Sequence, residues 1–406
     1  MANDTGGPSQ RESCWPALIF EQRQWKVDVE LFSRTQARKH AGPYSAAVTP
    51  EIANLSPTLS SEVIADSEEA TRAVVRFDEQ VSTVFGGEFA PMSAILLRTE
   101  SASSSQIENL TVGARQIALA ELGEHASNNA KVVTGNVRAM EAALELSANI
   151  DEGSILAMHE SLLGASQREH AGKWRKQQVW IGGSGAGPHH ALFVPPHHDR
   201  VESAIADLLK FISRDDVPVF IQSAIAHAQF ETVHPFADGN GRTGRALVHA
   251  LLTNKGLTQN VTVPVSSGLL VNTNGYFDAL GEYRKGNIEP IIQQFNEAAI
   301  FAVGNGRRLV TDLEESISDA HSKITARTDA AAWKIANLLV AQPVINNEFV
   351  RERLGISDIA AQRGIDHLES VGVLKQPRNQ ARNRVWQSPA VLDDLDAFAA
   401  RIRRVR

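Results

Sequence analysis

One cysteine, Cys14, occurs in 406 residues, so no internal disulfide can form and the chain suits a reducing compartment. No stretch approaches the roughly eighteen consecutive apolar residues of a membrane-crossing helix. The opening segment, Met1 to Pro16, is polar and lacks the continuous apolar core of a secretion signal. These deficits together predict a cytoplasmic protein without membrane contact. Positive charge is also short: 40 Lys and Arg stand against 47 Asp and Glu, a net charge of −7, which excludes a protein that coats nucleic acid along its whole length. What is present is the composition of a folded protein, 43% hydrophobic and 21% charged. The length predicts two or three domains, with flexibility confined to residues 1 to about 15.

The densest chemistry lies in His234-Pro235-Phe236-Ala237-Asp238-Gly239-Asn240-Gly241-Arg242-Thr243-Gly244-Arg245. Upstream, Ile221, Ile225, Phe230 and Val233 recur at helical spacing and predict a helix that delivers His234 to a turn. A second helix is expected to leave the turn through Ala246 to Leu252. Gly and Asn between them accept positive φ, so successive backbone N–H groups can face one concavity, and such a nest at a helix N-terminus binds anions. Arg242 and Arg245 fall on one face of the first turn. There they oppose the helix dipole unless a polyphosphate or carboxylate lies between them. Asp238 is placed to hold Mg²⁺ beside phosphates, and His234 can accept a proton near neutral pH. These parts fit phosphoryl or nucleotidyl transfer. A rival metal site of His227, Glu231 and His234, spaced i, i+4, i+7, would explain neither the glycines nor the arginines.

This string resembles the signature of Fic-domain proteins, His-x-Phe-x-Asp/Glu-Gly-Asn-Gly-Arg-x-x-Arg, at every fixed position. The resemblance implies a mainly α fold and transfer of AMP from ATP, with Mg²⁺, to a Ser, Thr or Tyr hydroxyl of a target protein. His234 would deprotonate that hydroxyl, and Asp238 would hold the metal. The backbone of Gly239, Asn240 and Gly241 with Arg242 would cradle the α- and β-phosphates, Arg245 would meet the γ-phosphate, and Thr243 and Gly244 complete the ATP-binding stretch. Further along, Tyr276 and Phe277 would border the adenine. A later position that is often Asn in relatives is Arg284 here.

Upstream, Ser101-Ala102-Ser103-Ser104-Ser105-Gln106-Ile107-Glu108-Asn109 admits a local reading as a capping box, Ser105 with Glu108. It also resembles the inhibitory motif of Fic proteins, Ser/Thr-x-x-x-Glu-Gly/Asn, carried by Ser104, Glu108 and Asn109. That resemblance implies an inhibitory helix at about 101–112, with Glu108 paired bidentately to Arg245 in the γ-phosphate site. It also admits the reverse reaction, in which the glutamate orients water to remove AMP.

The expected organisation is an N-terminal helical unit (1–150), a Fic core (151–301), a linker helix (302–329) and a winged-helix domain (330–406). Periodic segments at Ser61–Val84, Phe89–Thr99, Ala114–Leu122 and Asn136–Ala148 predict helices in the first unit, and Tyr44 to Pro50 followed by Glu69 to Phe77 resembles the N-terminal helical region that accompanies many Fic domains. Within the core, runs at 178–182 and 191–195 predict a hairpin. It resembles the Fic flap, where Ile181, Gly182 and Gly183 would bind a target strand by edge pairing. His159 reads as a satisfied helix histidine, and the doublets His189-His190 and His197-His198 as solvated flap residues. The last unit holds 12 Lys and Arg against 8 Asp and Glu. With a helix at 357–370 and a basic wing at 378–386, it fits DNA contact or, equally, protein contact and a homodimer. A DNA-binding regulator with a nucleotide-sensing Fic domain is the rival function.

Overall fold

The computed structural model describes residues 15–27, 40–82, 90–183, 187–327, 330–377 and 384–402. The expected flexible start at 1 to about 14 and the wing tip at 378–383 lie outside them. Helices dominate, as the periodicity predicts, but the first described element is not helical. Strand β1 (Ile19–Trp25) pairs antiparallel with β2 (Gly42–Val48), in a register from Ile19↔Val48 to Trp25↔Gly42. Tyr44 to Val48 is therefore a strand and not part of a helical region. The hairpin has no short Gly-Asn turn to announce it, and β1 leaves Ile19 and Phe20 exposed, which blurs the alternation.

Four helices follow: α1 (Ser61–Ser82), α2 (Ala90–Ile107), α3 (Ala114–Glu121) and α4 (Asn128–Glu145). Two serines of α2 satisfy their hydroxyls on the preceding turn: Ser103 donates to the Thr99 carbonyl at 2.7 Å and Ser105 to that of Ser101 at 2.9 Å. Ser105 thus lies in the last turn of a helix, and the capping-box alternative for it is excluded. The chain continues through α5 (Glu152–Leu163), opened by a capping box of Asp151 with Ser154, and α6 (Val201–Ile212).

The central pair is α7 (Val219–Val233) and α8 (Asn240–Asn254). Every residue from Phe220 to Val233 is buried, which marks α7 as a core helix enclosed on all sides. Helices α9 (Val265–Val271) and α10 (Thr273–Arg284) lead to α11, a 35-residue helix from Glu289 to Lys323. The linker boundary expected at 302 is absent, since α11 runs unbroken through Gly304-Asn305-Gly306. Gly306 serves close packing: a β-carbon there would meet the Phe77 ring of α1. One apolar cluster joins α1, α2 and α6 to α11.

A second cluster, with Ile335, Ile365, Leu368 and Trp386 at its centre, organises the C-terminal segment. Its order is α12 (Ala331–Ala341), β3 (Val344–Ile345), α13 (Asn347–Leu354), α14 (Asp358–Ser370), β4 (Trp386–Gln387) and α15 (Pro389–Arg401). Strands β3 and β4 pair antiparallel, and Lys375 bridges to Gln387. This segment does not stand apart: α12 packs on α2, and α15 packs on α11.

Candidate active site

The turn between α7 and α8 is strained at His234 and held by three side chains, of which the sequence left Arg175 unremarked. His234 closes α7 in the left-handed conformation, φ 50° and ψ 60°, which a residue with a β-carbon adopts only when its surroundings impose it. Arg175 imposes it: its Nε donates to the His234 carbonyl at 2.8 Å, its backbone N–H donates to the Pro235 carbonyl at 3.0 Å, and further guanidinium N–H groups reach the carbonyls of Gln177 and Pro196. His159, read from sequence as a satisfied helix residue, braces the far end of the turn. Gly172 N–H donates to its Nδ1 at 3.0 Å, which leaves Nε2–H to donate to the Asp238 carbonyl at 3.0 Å, while its ring stacks on Phe236 with centroids 3.6 Å apart. Asn240 closes the loop, accepting from Phe236 N at 2.8 Å and donating to Phe236 O at 2.9 Å. Its amide oxygen and one amide N–H shape the turn, and its backbone N–H stands at the start of α8, the place expected of it.

Gly239, at φ 78°, takes the turn into α8 at a conformation that favours glycine. Gly241 is small for a different reason: a β-carbon would collide with Glu108 Oε1 and the Arg245 guanidinium. Gly244 is corrected from an ATP contact to a packing residue, because a β-carbon there would meet the Phe230 ring and His227 Nδ1 on α7. Thr243 is likewise fully buried under the helix.

The space over the α8 N-terminus is filled by a carboxylate of the chain itself. Glu108 Oε2 accepts from Arg242 Nε at 2.8 Å, and Glu108 Oε1 from Arg245 NH2 at 2.8 Å. The expected bidentate pair with Arg245 alone is thus a bridge across both arginines, and Ser104 takes two further Arg245 donors: Nε reaches its hydroxyl at 2.8 Å and Nη2 its carbonyl at 2.9 Å. Asn109 explains how α2 stops in time to present Glu108. It is left-handed at φ 65°, with Leu110 N donating to Ser105 O and Asn109 N to Gln106 O. This is a Schellman ending, in which Asn tolerates the left-handed position. Replacing Ser104 with alanine removes one charged hydrogen bond on Arg245, worth about 1.5 kcal/mol. If seating of Glu108 restrains activity, basal turnover should rise by about tenfold; initial rates of wild type and Ser104→Ala side by side check this.

Electrostatics keep the histidines neutral. Burial, reinforced by the Arg175 charge, holds His234 far below the ordinary imidazole range, to about 3, although about 20% of its side chain meets solvent. Burial lowers His159 to about 4 and His227 to about 3. Unfolded imidazoles take up protons near pH 6.5, whereas these do so only well below it, so their contribution is present above 6.5 and lost as pH falls toward 4 and 3. Glu231, raised to about 7 by burial, acts oppositely, with stability lost as pH rises toward 7. Three groups outweigh one. The melting temperature should fall on acidification from pH 7.5 to 5, His159 and His227 each accounting for about 2 kcal/mol at pH 5. His159→Gln should flatten that slope in calorimetric scans; an unchanged slope would contradict the assignment.

Other expected site residues fall differently. Tyr276, expected at the adenine, is 1% exposed, and its hydroxyl lies 2.7 Å from His227 Nε2 in the core; its neighbour Phe277 is 51% exposed. The His227, Glu231 and His234 trio does not converge, since His234 leaves the helix, and no cluster of three or more metal-ligating side chains exists among the described residues. The flap is less regular than the expected hairpin. Ile181 and Phe193 form a single bridge, with Ile181 N donating to Phe193 O at 2.9 Å and Leu192 N to Ile181 O at 2.8 Å. Residues 184–186 lie outside the description, and a short 3₁₀ turn occupies Pro188–His190. Pairing cannot extend on the return side because Pro195 and Pro196 lack N–H groups and Val194 O accepts instead from Ala47 of β2 at 3.0 Å. Gly182 and Gly183 are exposed at positive φ. Arg284 lies beneath this flap, its guanidinium 3.7 Å from the Phe193 ring centroid.

A helix N-terminus flanked by two arginines, filled by an internal carboxylate and adjoining a neutral imidazole, defines a helical core that holds an anion. Residues 149–252 match the Fic/DOC family, and residues 64–145 match the Fic/DOC family N-terminal region. The chain therefore carries a Fic/DOC domain preceded by that family's N-terminal domain. Protein adenylyltransferase fic-1 of Caenorhabditis elegans is 28% identical over 211 residues, 48% of this chain and 38% of that protein. Its Caenorhabditis briggsae counterpart is 30% identical over 152 residues, 36% of this chain and 27% of that protein. The chain thus spans well under half the length of these curated relatives. Among solved structures, a Fic family protein from Desulfovibrio desulfuricans G20 superposes with a TM-score of 0.52 at 22% identity, covering 84% of this chain and 98% of that one; the fold is shared. Among the described residues no helix is long and apolar enough to cross a membrane.

Proposed function

We propose that this chain is a protein adenylyltransferase that moves AMP from ATP to a hydroxyl side chain of a target protein and is held at rest by Glu108. The observation that carries the reading is the Glu108 carboxylate seated on Arg242 and Arg245 at the N-terminus of α8. A site that binds one internal anion with two guanidiniums and a helix dipole will bind the phosphates of a nucleotide once that anion leaves. The names of the relatives support adenylyl transfer as the reaction.

His234 Nδ1 lies 3.4 Å from the Glu231 carbonyl, the contact of an Nδ1–H donor, which leaves Nε2 as the base. It would take the hydroxyl proton as the hydroxyl oxygen attacks the α-phosphorus. The bond from that phosphorus to the β-phosphate bridging oxygen breaks, and pyrophosphate leaves with its charge held by Arg242 and Arg245. Asp238 is 48% exposed at the turn, with Oδ2 accepting from Gln167 at 2.8 Å. One accessible carboxylate beside phosphates fits Mg²⁺, which usually keeps few protein ligands. Asp238 would hold the ion, which when bound supplies charge neutralisation. The flap at Ile181, Gly182 and Gly183 would receive the target segment; Ile181 is already paired with Phe193 and Leu192, so the exposed Gly182 and Gly183 would meet it, and Leu192, 87% exposed, offers it an apolar contact.

For the C-terminal segment we favour contact with protein over DNA: the exposed side of α14 sets Asp358 and Asp366 beside Arg363, a balance that does not neutralise phosphates. The reaction class is tested with ATP labelled at the α- or γ-phosphate. Label retained on protein from the α position only supports adenylyl transfer; label retained from the γ position overturns it in favour of a kinase.

A further inference from the structure

The helix that carries Glu108 has two working faces. Ser104 and Glu108 meet Arg245, while Ile95, Thr99, Ala102 and Gln106, at helical spacing along the opposite side, line a cavity of about 80 Å³ closed by Leu395 and Phe398 of α15. The lining matches that of small-molecule sites, mostly apolar with a few polar groups, and the space holds a short aliphatic chain rather than a drug-sized ligand. Arg98 supplies the chemistry of recognition. Its Nε donates to Glu121 Oε1 at 2.8 Å, and its NH2 lies 2.7 Å from Glu121 Oε2 and 3.2 Å from Gln342 Oε1. Arg98 also lines this cavity, its Nη1 is buried without a partner, and the Gln106 amide makes no side-chain hydrogen bond among the described residues. Glu121 already matches the guanidinium charge. The remaining donor therefore calls for a neutral oxygen, since a second carboxylate would be buried without a counter-charge.

We propose that this cavity is a regulatory site for a neutral, mainly aliphatic molecule carrying a single hydroxyl or carbonyl oxygen. Its wall is the outer face of α2, so the cavity exists in full only while α2 is seated with Glu108 on the arginines. A ligand that binds this arrangement draws the population toward it and deepens inhibition. At ten times its dissociation constant such a ligand lowers transfer by wild type about tenfold, and it leaves Glu108→Gly unaffected because that variant's site is open whether or not α2 is seated. The effect on transfer rests on the adenylyltransferase reading; binding does not.

The test is isothermal titration of the full chain with 1-octanol and, for comparison, octanoate. The proposal expects saturable one-to-one binding of 1-octanol, at least tenfold weaker binding of octanoate, loss of binding in Ala102→Trp and Ala399→Trp, and a matching rise in wild-type melting temperature with the alcohol. No saturable binding by wild type, equal affinity for octanoate, or full binding by both filled variants overturns it. Saturable binding that the filled variants lose, with no AMP incorporation by any form of the protein, would uphold the site and overturn the transfer reading instead.

Discussion

Replacing Glu108 with glycine should raise incorporation of AMP, into targets or into the chain itself, by about two orders of magnitude. The carboxylate makes one charged hydrogen bond to each of Arg242 and Arg245. Such bonds are worth about 1.5–3 kcal/mol apiece, and even the lower figure for the pair, about 3 kcal/mol, corresponds to a hundredfold shift in occupancy. Glycine suits the position, because the Schellman ending at Asn109 uses only backbone groups of residues 105 to 110. The arginines stay in place, buried and held by Ser104 and the α8 backbone. Scintillation counting of α-labelled ATP retained on protein reads the change directly. Equal incorporation by wild type and variant would mean that Glu108 does not restrain the enzyme.

Removing the base should have a larger effect in the opposite direction. His234→Ala, in the Glu108→Gly background so that the starting rate is measurable, should reduce transfer by about 10³-fold, within the usual range for a positioned general base. ATP affinity should change little, because the phosphates meet α8 and its arginines and not the imidazole. Folding should survive, since Arg175 grips the carbonyl of residue 234 and not its ring; alanine in the left-handed conformation costs about 1 kcal/mol. Turnover retained within tenfold of the parent would remove His234 from the catalytic role.

The chemistry of the site was legible in twelve consecutive residues because a helix, a tight turn and a second helix compress it there. Glu108 was legible only through resemblance. Nothing in its local sequence distinguishes a capping glutamate from one that reaches Arg245 across 137 positions. His159 is satisfied, as its reading had it, but its brace on the turn went unseen and Arg175 was missed outright, since their partners are backbone groups brought to them by the fold, and these leave no mark in a sequence. The β1–β2 hairpin was lost because its connection is long. The linker boundary was misplaced because Gly304 and Gly306 read as a break, yet Gly306 serves close packing on Phe77. Tyr276 was placed at the adenine through resemblance, and the contact its hydroxyl makes, with His227 in the core, had no signal in the sequence.

The most direct measurement is crystallographic: Glu108→Gly crystals soaked with ATP and Mg²⁺. The account predicts a triphosphate lying across the backbone of 239–241, its terminal phosphate between Arg242 and Arg245 where the Glu108 carboxylate had been, and its α-phosphorus within reach of His234 Nε2. Nucleotide bound elsewhere on the molecule, with the α8 N-terminus left bare, would contradict it.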